Sequence, residues 1–186
     1  YKEIFLLALI CFLISCTKDD NLLYLNNDKI IKVSSDISID NTIRTVNPIF
    51  NFITYDAFLR SISGSDHFLI VPLRDFEKTN STTKVVLSLR YDIDFHIKPA
   101  IQMAYLERKY KICSSFYILH TADYYGRFIK DGFVRNKDLI KYLKFIQDSC
   151  GQEIGFHNDL LTLQIVFDIS PREYLKNELN YLRSNS

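Results

Sequence analysis

From Lys84 onward the sequence alternates between two hydrophobic periodicities, and that alternation limits the possible folds more than any other feature. Val85-Val86-Leu87-Ser88-Leu89 is a β-branched-rich run, and apolar residues at helical spacing follow at Ile97, Ile101, Ala104 and Tyr105. A second strand is expected over 113–119, then a loop with Gly126 and Gly132. A helix is expected over 136–149, with Leu139, Ile140, Leu143 and Ile146 on one face, and a third strand over 153–156 after Gly151. Ser170-Pro171-Arg172-Glu173 has the form of a capping box with Pro at the first helical position, so a last helix starts there and runs to about 183. The order β-α-β-α-β-α makes the fold class α/β. It implies parallel strands with right-handed crossovers, in either an open doubly wound sheet or the first part of a (β/α) barrel.

In both architectures chemistry sits at the C-terminal ends of the strands. Asp92 and Asp94 follow the first strand, His120 the second, and His157 with Asp159 the third, so one rim collects them. Two carboxylates two residues apart can face the same side, and a His from a later strand adds a nitrogen donor. With no thiolate nearby, that set fits catalytic zinc or a comparable divalent ion that keeps a position open for water. Solvated carboxylates in strand-end turns are the bland alternative, and the residue pattern alone leaves the two level. His120 is expected to be a rim or core histidine rather than a ligand, His96 to lie in a loop, and Tyr124 and Tyr125 to serve packing.

Upstream of this region the chain changes character. Lys2 precedes an unbroken apolar run over residues 4–14, too short to span a bilayer as a helix but matching the hydrophobic core of a secretory signal. The run ends in Ser15-Cys16, which resembles the lipobox of bacterial lipoproteins, so Cys16 is the expected lipidation site and 1–15 the removed signal. The lipid would hold the chain at the cell envelope, in the outer membrane, with Thr17-Lys18-Asp19-Asp20 either a surface-export signal or simply the start of a linker. Residues 16–47 then form a tether with one short strand, and 48–83 a leader to the domain at 84–186. Within that leader Thr54 is expected to cap a helix over 55–62, and 68–71 to form a strand before Pro72 and a polar loop over 75–83. The charge balance, 23 basic against 22 acidic residues, argues against a nucleic-acid partner. Cys113 and Cys150 both fall at the N-terminal rim, where a disulfide and two buried free thiols are both open and the thiols are favoured.

Four segments together carry a resemblance. Leu87-Ser88-Leu89-Arg90-Tyr91-Asp92-Ile93-Asp94, Ala100 to Glu107 with its Ala-x-x-x-Ala-x-x-Glu pattern, Ser115-Phe116-Tyr117-Ile118 and Glu153-Ile154-Gly155-Phe156-His157 resemble, in order and spacing, the polysaccharide deacetylase family. That family has the NodB homology domain, a distorted (β/α) barrel of the carbohydrate esterase family 4 kind. The similar branch has Arg-His-Asp-Val-Asp at the first motif. The resemblance implies a hydrolase that removes acetyl groups from polysaccharide, with Asp92 as general base, Asp94 and His157 as ligands of a divalent metal such as zinc, and Arg90 and Tyr91 near substrate. Tyr91 stands where the branch has His. The second metal His of the family would fall on Leu161, which leaves Asp159 or a later residue as third ligand. The family continues through further β/α units, so the chain is expected to be a fragment, about half of the domain. Two other functions stay in play: a lipid-anchored, inactive carbohydrate-binding module, and a glycosyltransferase using Asp-x-Asp, against which the His157 motif argues.

Overall fold

The structure is a computed structural model that describes residues 8–9, 23–26, 29–32, 51–129 and 132–185. Its N-terminal elements are the two-residue strand β1 (Ala8–Leu9), the antiparallel pair β2 (Leu23–Asn26) and β3 (Lys29–Lys32), helix α1 (Phe52–Ser63), strand β4 (Phe68–Ile70) and the single turn α2 (Leu73–Phe76). Strands β5 (Val85–Leu87) and β6 (Leu89–Ile93) precede helix α3 (Ile97–Lys109), strand β7 (Ser115–Leu119) and the hairpin β8 (Gly126–Ile129) and β9 (Gly132–Arg135). Helix α4 (Leu139–Lys144) runs on into a π turn (Phe145–Ser149), followed by strand β10 (Glu153–His157), helix α5 (Leu160–Ile165) and helix α6 (Pro171–Asn185).

β6, β7 and β10 lie side by side in that order and are parallel, as the alternation requires. The protein is therefore an α/β fold with parallel sheets. β5 pairs in parallel with β4, and Ala8–Leu9, within the segment read as a signal, pairs in parallel with the start of β6. Cys16 and residues 17–20 lie outside the described residues.

The sheet has two unlike faces, because side chains alternate along each strand. Leu89, Tyr91 and Ile93 of β6 and Phe116 and Ile118 of β7 are buried on one face, where α3 lays down Ile97, Ala100, Ile101, Met103 and Ala104. Each large apolar side chain buried here stabilises the fold by about 1.5–3 kcal/mol. α3 starts cleanly although Pro99 sits in its first turn, where the missing N–H would have had no partner inside the helix. α1 adds Tyr55, Leu59 and Ile62 to the same core. On the other face the register forms polar rows: Arg90, Ser115 and Glu153 in one, Asp92, Tyr117 and Gly155 in the next, with His157 opposite Leu119 in a third.

Several local expectations are corrected. The run 85–89 is not one strand: it changes partner at the buried Ser88, β5 bonding to β4 and β6 to β7. Helix α1 begins before Thr54, because Asn51 is the N-cap. Its Oδ1 accepts from the N–H groups of Ile53 and Thr54, both at 2.9 Å, while Thr54 Oγ1 accepts from the Asn51 N–H at 3.1 Å. Thr54 is thus the reciprocal member of the capping box. The polar loop over 75–83 starts within the turn α2, and the loop with Gly126 and Gly132 is the β8–β9 hairpin, whose Phe128 and Phe133 pack on Tyr174 of α6. Gly151 ends the π turn at φ +74°, a backbone conformation that favours glycine. Cys113 and Cys150 are free thiols.

Candidate active site

β6 delivers Arg90 and Asp92 to the polar face by alternation, and Asp94 follows just beyond its end. Arg90 Nε donates to Asp92 Oδ1 at 2.9 Å and its Nη2 to Oδ2 at 3.3 Å, a two-pronged pair that leaves each carboxylate oxygen a further lone pair. Two strands away, the last residue of β10 closes the site. His157 Nδ1 lies 3.1 Å from Asp94 Oδ1, although 63 residues separate them in sequence. Both side chains keep about a third of their surface exposed, so solvent or a ligand can reach the pair. Asp94 and His157 thus stand at the C-terminal end of the sheet, whereas Asp92, expected to follow the first strand, lies inside β6 in the middle row with Tyr117 and Gly155, and Arg90 lies one row further back, level with the first residues of β7 and β10.

The other sequence candidates are placed elsewhere. Tyr91, expected near substrate, is 1% exposed and faces the helical layer, because alternation turns it away from Arg90 and Asp92. Its hydroxyl lies 2.8 Å from that of Tyr55, which donates to Glu107 Oε1 at 2.5 Å, and Ser114 Oγ donates to the same oxygen at 2.9 Å. Glu107 is fully buried, and burial pushes its carboxyl up to about 7 against the pull of the Tyr55, Tyr91 and Ser114 hydrogen bonds. Two residues of the resemblance motifs, Tyr91 and Glu107, therefore belong to one structural hydroxyl–carboxyl cluster on the far face.

Asp159, the alternative third ligand, is the N-cap of α5. Its Oδ1 accepts from the Thr162 N–H at 3.2 Å and its Oδ2 from Thr121 Oγ1 at 3.1 Å. Burial raises its pKa, but these bonds outweigh it and hold the group below the usual carboxylate range. The Asp159 N–H in turn donates to His120 Nε2 at 2.8 Å. His120 is fully buried, stacked on Phe156 and pushed down to about 4 mainly by desolvation, so its ring is neutral and anchors the loop. With Nε2 accepting, the ring proton sits on Nδ1. Asp159 and His120 are thus tied up in loop structure.

Two donors, Asp94 and His157, are consequently what the site presents to a cation, and among the described residues no cluster of three or more His, Cys, Asp or Glu residues is suited to hold a metal. The donors are of the right kind, a hard oxygen and an imidazole nitrogen, and their 3.1 Å separation is close to the spacing of two adjacent ligands about one small ion with bonds of about 2.0–2.2 Å. The residues sequence reading passed over are Tyr117, which lies beside Arg90, and Thr121. Tyr117 carries no signal of its own beyond the strand motif, and only the register reveals its position. No protein-family model, curated protein or solved structure matches this chain.

Proposed function

We propose that this chain is a metal-dependent hydrolase that removes acetyl groups from N- or O-acetylated polysaccharide, built on part of a distorted (β/α) barrel like that of the polysaccharide deacetylases. The observation that carries this reading is the meeting of Asp94 and His157 at 3.1 Å at the end of the sheet face that also bears the Arg90–Asp92 pair. The four motif segments, in family order, support it. Asp94 and His157 would hold a divalent ion, zinc by their chemistry, and a bound ion would supply carbonyl polarisation and a more acidic water.

The chain's own part of the reaction is positioning and proton transfer. Arg90 orients the Asp92 carboxylate from one side, leaving its outer lone pairs to accept the proton of the attacking water. The tetrahedral adduct then breaks its bond to the sugar nitrogen or oxygen, a proton equivalent to the one taken up by Asp92 goes to the departing amine or hydroxyl, and acetate remains as the second product. The resemblance of Ser15-Cys16 to a lipobox supports attachment to the bacterial envelope, where polysaccharide is at hand. Among the described residues no helix is long and apolar enough to cross a membrane.

The discriminating experiment measures acetate released from acetylated sugar oligomers in the presence of zinc. Asp92→Asn is expected to lower turnover by about a hundredfold or more, the scale of a lost proton-transfer group, with zinc still bound. A carbohydrate-binding module is the second reading, favoured by the two-donor site. Glycan binding without acetate release, unaffected by Asp92→Asn, would establish it instead.

A further inference from the structure

Three strands contribute to one stack on the polar face. Gly155 of β10 lies beside Tyr117 of β7 in the register, and a Cβ at Gly155 would come within 2.7 Å of Tyr117 Cε1 and Cζ and 2.8 Å of Cδ1. The tyrosine ring therefore occupies the space over the glycine. On the β6 side, the Arg90 guanidinium carbon lies 4.1 Å from the centroid of that ring, and the same guanidinium grips both oxygens of Asp92.

We propose that Tyr117 and Gly155 are positioning residues for Asp92, acting through Arg90. The proposal rests on the reading of Asp92 as the proton acceptor. Arg90 and Asp92 keep 29% and 15% of their side-chain surface exposed, and ion pairs with access to water are loosely held unless something fixes their geometry. The ring supplies that constraint, since a planar guanidinium settles on an aromatic face in a limited set of orientations. Desolvation pushes the Tyr117 hydroxyl pKa up, so the neutral ring is what Arg90 meets. The glycine is needed because any side chain at 155 would displace the ring from the place where it supports Arg90. This gives Gly155 in the Glu-Ile-Gly-x-His segment a mechanical reason, and it makes the hydroxyl of Tyr117 dispensable.

The test uses the full chain with zinc, reading kcat, KM and zinc affinity together with the Arg90 Nε–Hε NMR resonance, which a stacked ring shifts upfield. Tyr117→Ala and Gly155→Ala are each expected to lower kcat by about ten- to a hundredfold, the cost of an ångström-scale misplacement, with KM and zinc affinity unchanged. Tyr117→Phe is expected to restore turnover. The double variant should be no worse than Tyr117→Ala alone, because with the ring gone the new methyl group displaces nothing. Both single variants should move the Arg90 resonance downfield. Additive losses in the double variant, a Tyr117→Phe as impaired as Tyr117→Ala, or an Arg90 resonance indifferent to both substitutions would overturn the proposal. Should Asp92→Asn turn over like the wild type, the assignment of the base fails by itself, and the NMR arm still decides whether the stack orders the Arg90–Asp92 pair.

Discussion

At the scale of single residues, the far face of the sheet carries a titration that the stability of the fold must register. Glu107 has an ordinary pKa of 4.5 and is pushed up to about 7 in the fold, chiefly by burial. Below about pH 4.5 the group is protonated in both the folded and the unfolded chain. Between about 4.5 and 7 the unfolded chain gives up the proton while the folded one keeps it, so stability is fully present at low pH and falls through this window, then levels off. The whole effect is on the order of 3 kcal/mol. Glu107→Gln keeps an oxygen to accept from Tyr55 and Ser114 but cannot ionise. Urea unfolding at pH 5 and pH 8 is expected to show the wild type losing about 2 kcal/mol more than Glu107→Gln over that interval. Parallel losses would mean that the carboxyl ionises as readily inside the fold as outside. This residue also marks a boundary of sequence reading: the motif places Glu107 on a helix, but only the packing of α3 on the sheet reveals that it answers Tyr91 and Tyr55 rather than water.

Among elements, those with a sustained period were legible and the short ones were not. α3 announces itself because its apolar residues repeat over a whole face, α6 through the Ser170–Glu173 capping pattern at its start, and β7 and β10 as short strand runs, whereas the run 85–89 covers β5 and only the start of β6. The β8–β9 hairpin has four residues a side and glycine at the start of each strand, so it reads as a loop until Phe128 and Phe133 find partners on Tyr174. α5 has six residues and exposes Leu161 and Ile165, as well as Val166 at its C-cap, a pattern that predicts nothing periodic toward the core. Asp94 and His157 do fall at strand ends, as the sequence pattern suggests, but Asp92 lies inside β6, and the capping bonds of Asp159 depended on where α5 starts. Helix α1 shows how a cap shifts a boundary: Thr54 is a strong cap residue, but Asn51 three positions earlier uses it as the reciprocal partner. Removing Asn51 Oδ1 leaves the N–H groups of Ile53 and Thr54 without the acceptor that bonds them here. Asn51→Ala is therefore expected to destabilise the fold by about 1 kcal/mol, against a few tenths for Asn51→Gly, read from chemical unfolding midpoints.

For the molecule as a whole, the proposed cation site and the fold are coupled because Asp94 and His157 come from different strands. Asp94 follows β6, and His157 ends β10 with β7 between them, so the pair exists only while the parallel order β6-β7-β10 is intact. A cation that binds this pair finds no equivalent in the unfolded chain and must stabilise the folded one. With free zinc at about a hundred times its dissociation constant, linkage adds about 2.7 kcal/mol. For a chain of 186 residues that corresponds to a rise in Tm of about 5–10 °C. The rise should vanish in Asp94→Ala and in His157→Ala, each of which removes one of two donors, and persist in Asp92→Asn, which alters the proposed proton acceptor and leaves both donors in place. Asp159→Ala separates the remaining possibility. If Asp159 only caps α5, the variant starts from a Tm lowered by the loss of about 1 kcal/mol of capping and still gains the full increment from zinc. An increment lost in Asp159→Ala would instead make that carboxylate a ligand, requiring it to release Thr162 or Thr121 when the ion arrives.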